Sequence, residues 1–426
     1  MEAVSNKYIL RRLGYFNAWF GAIVQFNSIC FRLIAGILGL LPLESVAIIS
    51  FFEYTLNCLL EVPLGYFADK FGRVLSVVSG LVLVIVALCC CFIAIELGGH
   101  SKLALLFVYL DGILLGVAKP LISGSVQGFY QEFLKKNNED QNEEHNSFTF
   151  SMKYGKYISS LVIILAIILL VLLSKTKYVH YLLIFGGLLY FINIKMILKD
   201  YVVFKKLYSE DIIELNYKIS SFFQIKNVNE ALFTNIVLWM IGAPIMSYLI
   251  ISLGRTYDGI NSKYTWYTIA SFMLGMQTLG SILNGTLLQV LKNKLDDKYY
   301  IILLILIPGI LVIFPLLFVS FNSIFAFVIW LYFFGAFYFM AIRGIGAYSS
   351  NKILEGVDSK HYSKVLSMLS MVGFIFHGCY DLYIAKYSNG APFLLSSFKM
   401  VLVISVVSAL LYLIFWNKKC QRSSIA

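Results

Sequence analysis

Long apolar runs, each closed by a short polar stretch, repeat from one end of the chain to the other. A membrane helix needs about 20 apolar residues, because roughly 30 Å of hydrocarbon is crossed at about 1.5 Å per residue. Twelve runs are long enough. They cover Leu13–Leu41, Val46–Phe67, Val74–Ile95, Leu103–Gly124, Tyr157–Leu173, Tyr181–Leu198, Ala231–Leu253, Tyr264–Val290, Tyr299–Val319, Ser323–Tyr348, Val365–Ala385 and Leu394–Trp416. The runs are continuous rather than alternating, which disfavours a membrane β-barrel. The fold class expected is therefore an all-α membrane protein of twelve transmembrane helices.

Composition agrees with the pattern. Of 426 residues, 59% are hydrophobic and 13% charged, against about 45–50% and about 25% in soluble domains. So few charges cannot cover a water-exposed surface, which argues against a soluble enzyme, a disordered chain or a free nucleic-acid binder. The net charge of +11 follows the spans. With both termini placed in the cytoplasm, Lys102, Lys175, Lys177, Arg255, Lys263, Lys386 and Lys399 fall outside, Arg32 and Lys119 fall within spans, and all other Lys and Arg fall inside. That bias predicts cytoplasmic termini and contact with anionic lipid rather than with nucleic acid. The first apolar run is too long for a cleavable signal, so it is expected to remain as the first helix. Six of the seven cysteines lie in apolar runs, where they behave as small hydrophobes, and no disulfide is expected.

Two polar segments punctuate the chain. Gln131–Lys156 carries Glu139, Asp140, Glu143 and Glu144 and reads as a solvated connection. Lys199–Glu230 mixes lysines with Phe222 and Phe223, as a segment lying on the inner leaflet would. It falls mid-chain and divides the protein into residues 1–198, a linker 199–230 and residues 231–426. The layout is two six-helix pseudo-repeats around a central cavity. Internal sequence similarity is slight: Gly285 stands 220 residues after Gly65, and Gln289 stands where Asp69 does.

Between the second and third runs the chain reads Gly65-Tyr-Phe-Ala-Asp69-Lys70-Phe71-Gly72-Arg73-Val74, preceded by Glu61-Val62-Pro63. The fourth run ends Ile122-Ser-Gly-Ser-Val-Gln-Gly-Phe-Tyr130-Gln-Glu132. The first segment resembles the G-x-x-x-D-[RK]-x-G-[RK]-[RK] motif of the major facilitator superfamily, with Val74 replacing the last basic residue. The second resembles the corresponding ending in that superfamily's bacterial drug-efflux-like branch. The resemblance implies a transporter working by alternating access, and the twelve-run layout extends it along the whole chain. It also implies that Asp69 meets the start of the eleventh helix when the inner gate is closed, with Arg73 pairing to Asp69 and Glu132. Gly65, Asp69, Lys70, Gly72, Arg73 and Glu132 are the gate residues expected. A carboxylate at a helix N-terminus is worth about 0.3–2 kcal/mol, enough to bias two near-equal states.

Charges inside the spans carry the rest. Arg32, Glu53 and Asp111 fall at similar depth near the midplane. A mid-membrane charge costs at least about 2.5–3.5 kcal/mol, so each needs a partner or a wet cavity. Arg32 and Glu53 are the natural pair, because the first two helices form a hairpin. That leaves one acid over, and Asp111 or Glu53 becomes a proton-site candidate. His377 and Asp381 share a helix face at i,i+4 and form a second proton-handling candidate. Lys119 and Arg343 could meet an anionic substrate, but snorkelling to the inner interface is the favoured reading. Cavity candidates are Gln25, Asn27, Asn235, Trp239, Gln277, Asn284 and Trp330, uncharged amides and tryptophans in otherwise largely apolar, aromatic helices, a lining that suits amphipathic molecules.

The chain has no G-x-x-x-x-G-K-[ST], H-E-x-x-H or G-x-S-x-G. It is expected to be no enzyme and to need no cofactor or metal. The leading expectation is a monomeric exporter of small organic molecules in the cytoplasmic membrane, driven by proton antiport. The alternative is a proton-coupled symporter for a sugar, peptide or organic acid. A non-transporting receptor on the same scaffold is a third reading, which the intact gate residues disfavour.

Overall fold

The computed structural model describes residues 6–31, 43–98, 101–136, 178–205, 227–244, 279–317, 324–354, 373–379 and 392–423, with a few single residues and pairs between them. The helices among them are α1 (Asn6–Phe31), α2 (Leu43–Phe71), α3 (Arg73–Glu96), α4 (Lys102–Lys136), α5 (Tyr181–Lys205) and α6 (Val228–Pro244). They continue with α7 (Leu279–Gly285), α8 (Leu287–Lys294), α9 (Asp297–Leu317), α10 (Ile324–Leu354) and α11 (Pro392–Ser423). Residues 373–379, in the eleventh apolar run, are helical too. Most of the fifth run and of the central linker lies outside the described residues.

Among the described residues the protein is all-helical, with the apolar helices of a membrane protein. Four helical stretches among them are long and apolar enough to cross a bilayer: Arg73–Glu96, Lys102–Ile122, Tyr181–Val203 and Ile329–Ser349. Several boundaries differ from expectation, and α1, α10 and α11 each extend six or seven residues beyond one end of their runs. α4 runs on to Lys136, so the start of the connection expected from Gln131 is helical. α5 likewise extends to Lys205, past the expected start of the linker. The eighth run is broken, with Thr286 between α7 and α8. There the Thr286 hydroxyl turns back to the Ile282 carbonyl at 2.8 Å, a local bond that competes with the helix ladder.

The chain forms two compact units, one of residues 1–222 and 358–386, the other of residues 223–357 and 387–426. In the first, α4 packs against α3, α2 and α1, while α5 packs against α3 and α1. Its core is apolar and aromatic, with Phe16, Phe26, Val77, Leu81 and Tyr130 buried. α2 and α4 lie side by side in parallel. A side-chain carbon at Gly112 would meet the Ile49 carbonyl oxygen at 2.9 Å, and one at Gly116 the Leu56 side chain at 2.6 Å, so glycine permits this approach. In the second unit α10 packs against α9, α7 and α6, and α11 against α9 and α6. Phe334, Tyr338 and Tyr412 fill its core.

Candidate substrate and proton site

The turn between α2 and α3 is built on Gly72, whose φ of 106° lies in the region side-chain-bearing residues avoid. Its N–H closes on Ala68 O at 3.0 Å and its carbonyl accepts from Ser76 N at 3.1 Å. One turn into α3, the Ser76 hydroxyl donates to Leu121 O at 2.9 Å, and Ser125 lies 3.2 Å from it. These bonds fix the foot of α3 to α4, and Arg73, at the first position of α3, sits half-buried beside them. Gly65 has open space around it among the described residues, so close backbone approach is not what it supplies. The exposed Lys70 lies 5.5 Å over the Phe71 ring. Asp69 and Glu132 are placed in α2 and α4, but their side chains lie outside the described residues.

At the same end of this unit is a cluster that the sequence reading missed. Arg12 on α1 forms an ion pair with Asp200 on α5, with Nη2–Oδ1 at 2.5 Å and a second contact from Nε at 2.7 Å. The Tyr130 hydroxyl, on α4, donates to the other oxygen of Asp200 at 2.6 Å. Arg12 and Asp200 flank apolar runs and look like ordinary interface charges, while the tyrosine carries no charge to notice.

Mid-span, Glu53 on α2 forms an ion pair with Lys119 on α4. Glu53 was expected to pair with Arg32, which lies outside the described residues. Lys119 was expected to snorkel; instead it turns to the acid on the neighbouring parallel helix, and its Nζ lies 5.1 Å from the centroid of the Tyr54 ring. The Tyr54 ring is 3.9 Å from that of His377 and 5.9 Å from Phe374. Gly378 faces Thr55, Phe51 and Tyr54, so residues 374–378 pack along this stretch of α2. The site is half-open: the side chains of Lys119 and Glu53 are 38% and 14% exposed. Asp381 lies outside the described residues.

Asp111, two turns above Lys119 on α4, is 1% exposed, and among the described residues its Oδ1 is buried without a hydrogen-bond partner. Burial of an ionised carboxylate without a partner is costly, so Asp111 remains a candidate to carry a proton, while Glu53 holds Lys119 as its partner.

The cavity candidates divide. Asn27 is buried, and its amide donates to Ile23 O at 3.1 Å and to Gly186 O at 3.2 Å, which ties α1 to α5 rather than lining an opening. In the second unit Asn235 is buried on α6 and Trp239 is half-buried one turn on. Trp330 stacks toward Phe334 at 5.0 Å, and Phe334 lies parallel to Tyr338 at 5.7 Å. Tyr338 then caps the Ile241 and Gly242 carbonyls at 3.1 Å. The side chains of Gln25 and Asn284, and the whole of Gln277, lie outside the described residues. Arg343 is exposed on α10, with its guanidinium 5.0 Å over the Phe339 ring.

A second cluster missed by the sequence reading closes one end of this unit. Glu230 on α6 is buried and accepts hydrogen bonds from the hydroxyls of Tyr348 on α10, at 2.5 Å, and Tyr412 on α11, at 2.9 Å. The Ser349 hydroxyl donates to Ala231 O at 2.7 Å. Nearby, Lys352 pairs with Asp297 at 3.0 Å.

No family model matches the chain, and no curated protein matches it. Solved structures do. A crystal structure of the nucleoside transporter NupG covers 97% of this chain and 99% of its own, with a TM-score of 0.61 and 14% sequence identity. A structure of a mutant of the same transporter matches at 0.57 and 14%, over 96% and 99%. At that identity the likeness is one of fold: this chain shares its fold with that nucleoside transporter.

Proposed function

We propose that the chain is a member of the major facilitator superfamily that takes up a small organic nutrient together with protons, by alternating access. Twelve membrane helices in two six-helix halves, 1–198 and 231–426, joined by 199–230, fit the packing. The pairs α3·α4, α2·α4, α3·α5, α1·α5 and α1·α4 recur as α9·α10, α7·α10, α9·α11, α6·α11 and α6·α10. Each recurrence is six spans later. The motif around Gly72 and the charge bias, with both termini in the cytoplasm and the protein in the cytoplasmic membrane, belong to the same reading.

The observation that carries the function is the half-open Glu53–Lys119 pair beside Tyr54 and His377. A buried ion pair is weak evidence for stability, because the cost of desolvation offsets most of the attraction. Its position in the middle of apolar helices points to transport instead. The structural neighbours do not support the drug-efflux-like branch, and export yields first place to uptake. A transporter described as carrying nucleosides makes a nucleoside the first compound to try.

The test uses purified full-length protein in liposomes holding an internal pH dye. With acid outside, uptake of a nucleoside, sugar, peptide or organic acid should acidify the lumen as solute enters. Transport confined to drug-like cations moving against the proton gradient would restore the exporter.

A further inference from the structure

The Glu53–Lys119 pair also narrows the substrate class. Opening the pair leaves two charges in the span, each costly to keep there without a partner. A ligand that enters between them must therefore replace both partners. A neutral solute replaces neither. A zwitterion replaces both without a proton. An organic anion satisfies Lys119 and, if one proton arrives with it, Glu53 is neutralised as well.

The surroundings favour the last case. Lys119 Nζ rests 5.1 Å over the Tyr54 ring, a face that attracts a cation. It therefore keeps a second hold when Glu53 lets go. The cation is the fixed charge and the acid the variable one. Tyr54, Phe374 and His377 form an aromatic wall beside the ammonium, suited to a planar or apolar ligand body. Among the described residues, the titratable and charged groups around Glu53 are Lys119 and, farther along α4, Asp111, with His377 across Tyr54.

We propose that Lys119 binds the carboxylate of a small organic acid while Glu53 takes one proton on its Oε, so that the pair exchanges partners as a unit. The step breaks the Lys119–Glu53 contact, forms an O–H bond on Glu53 and forms a Lys119–carboxylate contact. One proton and one negative charge enter together, and the site is neutral before and after. This rests on the proton-coupled uptake proposed above.

The experiment uses the full chain in liposomes, alkaline inside, with the membrane potential clamped by potassium and valinomycin. Labelled lactate, nicotinate, shikimate and orotate are compared with leucine and uridine, and protein-free liposomes set the baseline. Uptake of at least one carboxylate is expected, independent of the clamped potential. Lys119→Gln should lower it by at least about tenfold. Glu53→Gln, which imitates the protonated acid, should lose gradient-driven accumulation yet retain exchange of labelled for unlabelled carboxylate. Uptake of uridine or leucine with no carboxylate transported overturns the substrate class while leaving proton-coupled uptake standing. Carboxylate uptake that responds to the clamped potential overturns the one-to-one balance. Gradient-driven uptake that survives Glu53→Gln but is lost in His377→Gln overturns the assignment of the proton to Glu53. Failure of every compound overturns the organic-acid assignment, and the sugar and peptide arms of the liposome assay above then decide whether proton-coupled uptake stands. Size-exclusion profiles of each variant, and of the double variant that removes both charges, separate loss of binding from loss of folding.

Discussion

Tyr130 gives the sharpest energetic expectation among single residues. Its hydroxyl donates to Asp200 at 2.6 Å in a buried setting that already holds the Arg12 ion pair. A hydrogen bond to a charged group is worth about 1.5–3 kcal/mol. Tyr130→Phe should therefore lower the thermal unfolding midpoint of the detergent-solubilised protein, and the lost contact leaves one Asp200 oxygen unserved. Tyr190→Phe, in the same unit, is expected to cost less, because its hydroxyl meets no carboxylate at hydrogen-bond distance among the described contacts. Equal midpoints for Tyr130→Phe and wild type would remove the cluster as a source of stability. The sequence made Glu53 and Asp111 conspicuous, because an acid in an apolar run is visible at once. It did not reveal Lys119 as the partner of Glu53. Hairpin adjacency pointed to Arg32, which lies outside the described residues, whereas Lys119 sits on a parallel helix separated from α2 by the whole of α3. The Arg12–Asp200 and Glu230–Tyr348 contacts were hidden for the same reason: each joins spans more than 100 residues apart.

Element positions were legible because hydrocarbon thickness sets the length of an apolar run. α3 at Arg73–Glu96 lies within two residues of its run at both ends. Boundaries went astray where a helix leaves the hydrocarbon but stays paired. α4 continues to Lys136, and Phe129 and Tyr130 on this extension are buried. The break at Thr286 was equally invisible, since the same run also carries Thr265, Thr268, Gln277, Thr278 and Gln289, and nothing singles out Thr286 among them. The packing of α2 on α4 depends on Gly112 and Gly116, which look unremarkable in sequence. Gly112→Ala would press a methyl group against the backbone of Ile49, where a side-chain carbon meets atoms at 2.9 and 3.0 Å. Overpacking of this kind costs about 1–3 kcal/mol. It should also lower transport, because the Glu53–Lys119 pair spans the same two helices. Gly187→Ala, where a side-chain carbon would meet Leu88 at an ordinary 3.6 Å, is the matched control. The comparison is read from unfolding midpoints and liposome uptake of both variants, and a Gly112→Ala protein as stable as Gly187→Ala would rule out close approach as the reason for the glycine.

For the molecule as a whole, the last expectation concerns the gate. The turn at Gly72 holds α3 against α4 through Ser76, Leu121 and Ser125, so Arg73 is carried by a rigid corner. A charge on a rigid corner can favour one state of a moving protein by the energy of one exposed or half-exposed contact, about 0.3–2 kcal/mol. That is too little to build a binding site and enough to change the populations of two near-equal states severalfold. Asp69→Asn and Arg73→Ala should therefore fold with normal unfolding midpoints and bind substrate nearly as wild type does, while turnover falls. The mid-span residues should behave the other way: Lys119→Gln weakens binding itself. Measuring substrate affinity by equilibrium binding and turnover by initial uptake separates the two groups. If Asp69→Asn and Arg73→Ala lose affinity and turnover together, the motif is part of the site, and if they transport at the wild-type rate, it is only a turn.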